Sequence, residues 1–211
     1  MRGVQFSNGE YYHVFNRGID KREIFVTSED YFKFLMCMKA VLCPTPEFLK
    51  TKPPSKRFNL EKLIGSVEMI AYCLNPNHFH FILRQLKETG VSNFMHFLGT
   101  SYTMFFNAKY ERSGSLFQGP FKAIHIDSNE YLLWVSAYIN GNAQIHGLIK
   151  NAAEYRWCSY SDYLGLCNGT LCSKNIILGQ FKDSNEYKEF VEENILAMKE
   201  RKDLQKYLIE N

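Results

Sequence analysis

The 211-residue sequence predicts an α+β fold: a ferredoxin-like split βαβ sandwich with a mainly antiparallel sheet, helices on one face and a helical C-terminal extension. Three observations carry this expectation. Strand-like and helix-like stretches follow one another in the order β-α-β-β-α-β, the order of a split βαβ unit. A turn at Asn75-Pro76-Asn77 folds two apolar stretches into a central hairpin, since Pro presets φ and Asn tolerates left-handed backbone. The apolar fraction of 45% against 22% charged residues is that of a globular chain with a substantial core.

The elements follow in order. Residues 10–16 are rich in aromatic and β-branched side chains and read as the first strand. Thr27 has Asp30 three residues on, a capping box opening a helix that runs to about Leu42, before Pro44. Residues 43–60 hold four of the six prolines and four basic residues, and read as an exposed connection. Leu63 to Leu74 suits a strand with a bulge at Gly65, and His78 onward its hairpin partner. Ser92 reads as the cap of a helix carrying Phe94, Phe97, Leu98, Phe105 and Phe106 on a core stripe. A strand ends at Ile126, and Asp127, with Glu130 as capping-box partner, reads as the start of the next helix. Residues 154–165 read as a turn-rich segment, and Asp183 or Ser184 as the cap of a last helix.

Composition bounds the function only loosely. A net charge of +3 permits a nucleic-acid partner without demanding one. The six cysteines form no C-x-x-C pair, the first ten residues lack an apolar signal core, and no run approaches membrane-spanning length. The expectation is a cytoplasmic protein with reduced thiols and no membrane partner.

Two places could carry chemistry. His78 and His80 alternate with Phe79 and Phe81, so both imidazoles share the face opposite the aromatic core residues. Facing outward from the sheet, they read either as a metal-binding pair or as two partly exposed histidines, and on the first reading their removal should leave the fold largely intact. Tyr138 and Asn142, four residues apart, share a helix face as a nucleophile and an oxygen ligand could. Taken alone, that pair reads as an amphipathic tyrosine and a C-terminal cap, with Gly141 marking the helix end or a hinge.

Taken together, the blocks Tyr12-His-Val-Phe-Asn-Arg-Gly18, Ala71 through Leu83, Gly114 through Ile124, Tyr131-Leu-Leu through Asn142, and Tyr155-Arg-Trp-Cys-Ser-Tyr160 resemble the single-tyrosine HUH transposases. The resemblance is closest to the REP-associated tyrosine transposase branch. It implies a DNA transposase that cleaves and rejoins single-stranded DNA through a 5′-phosphotyrosine. Tyr138 would be the nucleophile, and His78, His80 and Asn142 the ligands of Mg²⁺ or Mn²⁺. Single-stranded or hairpin DNA is the implied partner, and a homodimer is compatible with the wider family. Arg17, Lys21, Arg22 and Lys122 are the candidate phosphate contacts. Asn142-Ala143 stands where relatives have Asn-Pro, and Gly141 where they have a bulkier residue. The domain division expected is 1–165 for the catalytic unit, with 43–60 an inserted loop, and 166–211 for a helical extension. Two other functions compete: a non-catalytic, domesticated nucleic-acid-binding regulator, and a metal hydrolase acting through bound water. Tyr131, Tyr102 and Tyr72 are rival nucleophiles by residue type.

Overall fold

The structure, a computed structural model, describes residues 4–51 and 60–200. Its strands are β1 (Tyr11–Arg17), β2 (Val67–Asn75), β3 (His78–Gln85) and β4 (Lys122–Ile126). They form one sheet in the order β2-β3-β1-β4, with every neighbouring pair antiparallel. The helices are α1 (Ser28–Leu42), α2 (Pro46–Lys50), α3 (Gly90–Lys109), α4 (Asn129–Ile145), α5 (Tyr160–Tyr163), α6 (Asn175–Leu178) and α7 (Ser184–Glu200). The split βαβ order is the one expected from the sequence.

Period-2 alternation divides the sheet into two unlike faces. Tyr12, Val14, Phe79, Phe81 and Leu83 join α1 and α3 in one core, with Phe34 and Tyr102 at its centre. On this side the helices cover one face, as expected. The opposite face is not open to solvent. Ala71, Cys73 and Ile82 there pack with Val135, Ile139, Val191 and Ile195 of α4 and α7 in a second core. The reason lies in β2, whose run is apolar on both faces, and in β3, which is buried along most of its length on both.

Local signals shifted by a residue or two. The start of α1 follows the capping box, with the Val26 and Thr27 amides donating to Asp30 Oδ2 at 2.9 and 2.8 Å. Gly65 is no bulge but a turn residue at φ +66°, and the register shift in β2 falls between Met69 and Ala71. Ser92 sits inside the first turn of α3, which opens at Gly90, where a Cβ would lie 2.2 Å from the Ser66 carbonyl oxygen and only glycine fits. Ser128, not Asp127, caps α4, accepting from the Tyr131 amide at 3.2 Å. Asp183 Oδ1 accepts from the Asn185 and Glu186 amides at the head of α7. The connection expected over 43–60 contains α2, while its residues 52–59 lie outside the described residues.

Gly141 neither ends nor hinges α4, which runs on to Ile145. A Cβ at Gly141 would lie 2.5 Å from Ile195 Cγ1, so the glycine is what lets α7 approach. Gly141→Ala should therefore destabilise the protein by about 1–2 kcal/mol, overpacking outweighing the ~1 kcal/mol of helix propensity gained. Combining it with Ile195→Ala should give a cost below the sum of the two single changes in a denaturant double-mutant cycle.

Asp30 ties α1 to α3. Its fully buried carboxylate also accepts from Lys109 Nζ and Tyr110 Oη, each at 2.7 Å. Burial alone would raise its pKa, but the donors at Lys109, Thr27, Tyr110 and Val26 hold it below the usual carboxylate value. The resulting stabilisation is complete above the unfolded pKa of ~3.9 and is lost as pH falls through the lower folded value. Asp30→Ala should cost about 2 kcal/mol in urea unfolding at pH 7, by removing the charged acceptor that its half-exposed donors share. The difference from wild type should shrink as the pH is lowered toward 2.

Candidate active site between the sheet and helix α4

On the α4 side of the sheet a polar strip interrupts the apolar surface. Cross-strand register sets it out: Arg17 lies opposite His78, which lies opposite Asn75, and one step inward Phe15 lies opposite His80, which lies opposite Cys73. His13, two residues before Phe15, faces the same way. Above the strip lies α4, whose Tyr138, Asn142 and His146 recur every four residues and so share one side of the helix.

These side chains touch. The His80 ring lies 5.1 Å from His78, 5.1 Å from His13 and 5.3 Å from Tyr138 between centroids. His146 packs edge-on to His78 at 5.8 Å, and Trp134 stacks on Tyr138 at 5.9 Å. His13 Nε2 is 2.9 Å from His80 Nδ1, and His78 Nδ1 is 2.6 Å from Asn77 Oδ1. The Asn75 Nδ2 donates to Asn142 Oδ1 and lies 2.8 Å from His78 Nε2. Buried His80 Nε2 and Asn142 Nδ2 meet no partner among the described residues.

Electrostatically the site favours neutral imidazoles. Burial pushes His13 and His78 down to about 3 and His80 well below its ordinary value. For His78, the positive charges at His146 and Arg17 add to the effect. A neutral ring is the form that offers a lone pair to a cation. Because Asn77 Oδ1 is an acceptor, His78 carries its proton on Nδ1 and turns a bare Nε2 toward Asn75 Nδ2. Two inward nitrogens and an amide oxygen therefore fit a divalent cation. Among the described residues no three His, Cys, Asp or Glu side chains are placed to hold a metal ion, so oxygen donors outside that group would have to complete its shell.

The residues singled out in the sequence separate here. His78, His80, Tyr138 and Asn142 come together, and Arg17, 7% exposed, lies beside them rather than on an open loop. Lys21, Arg22 and Lys122 are exposed and outside the cluster. Asn142 is no helix cap; His146 occupies that position. Of the rival tyrosines, Tyr102 is buried in the other core, donating to the Ile24 carbonyl, and Tyr72 and Tyr131 are half-buried away from the histidines. Sequence reasoning missed His13, Asn75 and His146. Strand alternation could have found the first, as it puts residue 13 on the face of residues 78 and 80.

Residues 61–142 match the family model described as "Transposase IS200 like". Among curated proteins no match to the chain is found. Among solved structures, the fold is similar to a REP-associated tyrosine transposase bound to a REP hairpin. That likeness has a TM-score of 0.54 at 15% identity, and covers 78% of this chain and 85% of that one. Among the described residues no helix is long and apolar enough to cross a membrane.

His78 is half-buried and His80 does not face solvent, which changes what removal of His80 should do. His80 is 1% exposed and stacks on His13 beneath Tyr138. His80→Ala should lower stability by about 2–4 kcal/mol through the cavity and the stranded His13 nitrogen, rather than leaving the fold untouched. Thermal unfolding without added metal reads this directly.

Proposed function

We propose that this chain, which matches the IS200-like transposase family over residues 61–142 on the fold of a REP-associated tyrosine transposase, is a metal-dependent DNA strand-transferase. The observation that supports it is the meeting of His78, His80, Asn142 and Tyr138 across the β3–α4 interface. No pair of those residues lies on both elements by local sequence alone, so the fold assembles the set.

His78 Nε2, His80 Nε2 and Asn142 Oδ1 would hold Mg²⁺ or Mn²⁺. Such a cation would withdraw charge from a phosphodiester that otherwise repels a nucleophile. Tyr138 Oη then bonds to phosphorus as the bond from phosphorus to the 3′-oxygen breaks. The phenol loses its proton, and the departing 3′-oxygen gains one. The DNA stays attached through its 5′-phosphate to Tyr138, and a later 3′-hydroxyl attack reverses the step, rejoining a strand and restoring the phenol. Lys21, Arg22 and Lys122 would supply salt-dependent phosphate contacts, with Arg17 beside the reacting phosphate. The partner on this reading is single-stranded or hairpin DNA, whose unstacked bases are open to contact.

One observation favours the regulator reading as well. Tyr138 is only 2% exposed, beneath Trp134, so DNA can reach its hydroxyl only if α4 or its surroundings shift.

Labelled hairpin DNA incubated with the protein and Mn²⁺, then run on a denaturing gel, decides between them. Strand transfer predicts a covalent band that maps to Tyr138 and disappears in Tyr138→Phe, with DNA affinity within about threefold of wild type, since only the hydroxyl is lost. Binding without a band means a regulator. A band that persists in Tyr138→Phe, or maps to Tyr131, would show that the wrong phenol has been chosen.

A further inference from the structure

We propose that Asn75 is an additional ligand of this cation site, supplying its own amide oxygen beside His78, His80 and Asn142. The proposal rests on the metal-dependent reading above and extends it to a residue at the end of β2.

Asn75 is fully buried and lies directly across the strand pair from His78, on the same face of the sheet. Its side-chain nitrogen touches two of the assigned ligand atoms at once, His78 Nε2 at 2.8 Å and Asn142 Oδ1 by a direct hydrogen bond. Both of those atoms present lone pairs, because His78 Nδ1–H is turned to Asn77 Oδ1. Two lone pairs from different elements therefore converge on one amide end. In the metal-free protein the two N–H bonds of Asn75 satisfy them.

A cation at that point cannot coexist with N–H bonds aimed at it, and an amide nitrogen has no lone pair to give. The amide oxygen has two. The ends of an amide are alike in size, so a half-turn of the amide exchanges them without moving the backbone. Little opposes that half-turn. Among the described residues Asn75 Oδ1 accepts only a weak bond, from Cys73 Sγ at 3.5 Å, and sulfur can accept as well as donate. With its oxygen turned inward, Asn75 would face His78 Nε2 and Asn142 Oδ1 as a third lone-pair donor, an arrangement that needs positive charge at its centre. The direction of the amide is thus coupled to the cation: donors inward without it, acceptor inward with it. The shell also calls for such a group, since among the described residues no three His, Cys, Asp or Glu side chains are placed to hold a cation, and hard divalent ions prefer oxygen.

The test is Mn²⁺ binding to the full-length protein, followed by the electron paramagnetic resonance signal of the free ion, for wild type, Asn75→Leu, Asn75→Asp and His78→Ala. A ligand role predicts that Asn75→Leu weakens binding about tenfold or more, in the range seen when support for a metal site is removed. Asn75→Asp should bind at least as tightly as wild type. Its metal-free form should melt lower, because a carboxylate there has no N–H to offer, and Mn²⁺ should restore the loss. Unchanged or tighter binding in Asn75→Leu would overturn the proposal, showing Asn75 to be a competitor of the cation or a bystander. If Asn75→Leu does not fold, Asn75→Asp decides, with weaker binding than wild type overturning it. Loss of binding in His78→Ala with none in either Asn75 variant would remove Asn75 and leave the strand-transferase reading standing. No binding to wild type would remove both.

Discussion

A strip of polar side chains is sealed between the sheet and α4, and the rest of the structure is arranged so that this is tolerable. A buried polar atom without a partner costs about 1–3 kcal/mol. The strip limits that cost by internal pairing, His13 with His80, Asn77 with His78, and Asn75 with both His78 and Asn142. Among the atoms left over are His80 Nε2 and Asn142 Nδ2, on two residues that the strand-transferase reading makes ligands. Buried donors and acceptors left over in a paired network mark a place kept for something else.

Such a strip needs a lid that stays seated while no DNA is bound, and the C-terminal part of the chain braces one. Asn140 donates to Tyr187 Oη at 2.8 Å and accepts from Ser159 Oγ at 2.7 Å, and Tyr187 Oη donates to Ser136 Oγ. The far side of α4 is thereby bonded to α7 and to the segment before α5. Gly141 brings α7 close enough for Ile195 to fill the remaining space. The helix that carries Tyr138 and Asn142 is held from behind by Tyr187 and Ile195 of α7, outside the residues that match the family model.

The order of strands and helices could be read from the chain because it follows from period-2 and period-3.6 patterns that each stretch carries by itself. Thr27 and Asp30 announced α1 for the same reason, as a capping box needs only local residues. Gly141 was misread because its role depends on Ile195, more than fifty positions away, and nothing near residue 141 signals that contact. The two histidines and the Tyr138–Asn142 pair could be found as pairs, since alternation and i,i+4 spacing are local. Their meeting could not, and it was resemblance to a family, not spacing, that joined them. Asn75 was read only as a turn residue. Its place opposite His78 is a fact of register, which appears once the hairpin is built.

The charge of the site closes the argument. The donors proposed to face a cation are neutral, because burial keeps His78 and His80 unprotonated and the others are amides. Arg17 at the margin adds positive rather than negative charge. A divalent cation held by such a set would keep nearly all its charge, and in a poorly solvated pocket that is unfavourable without an anion nearby. A phosphodiester is an anion of the right kind, and the same positive charge that lacks a protein counter-ion would then draw it in. On the strand-transferase reading, cation and DNA backbone each make the other's binding more favourable, by the same factor in either direction. A site with carboxylate ligands would bind the metal more tightly alone and attract the phosphate less. The neutral donor set therefore suits a protein that assembles its reactive centre only when nucleic acid is present.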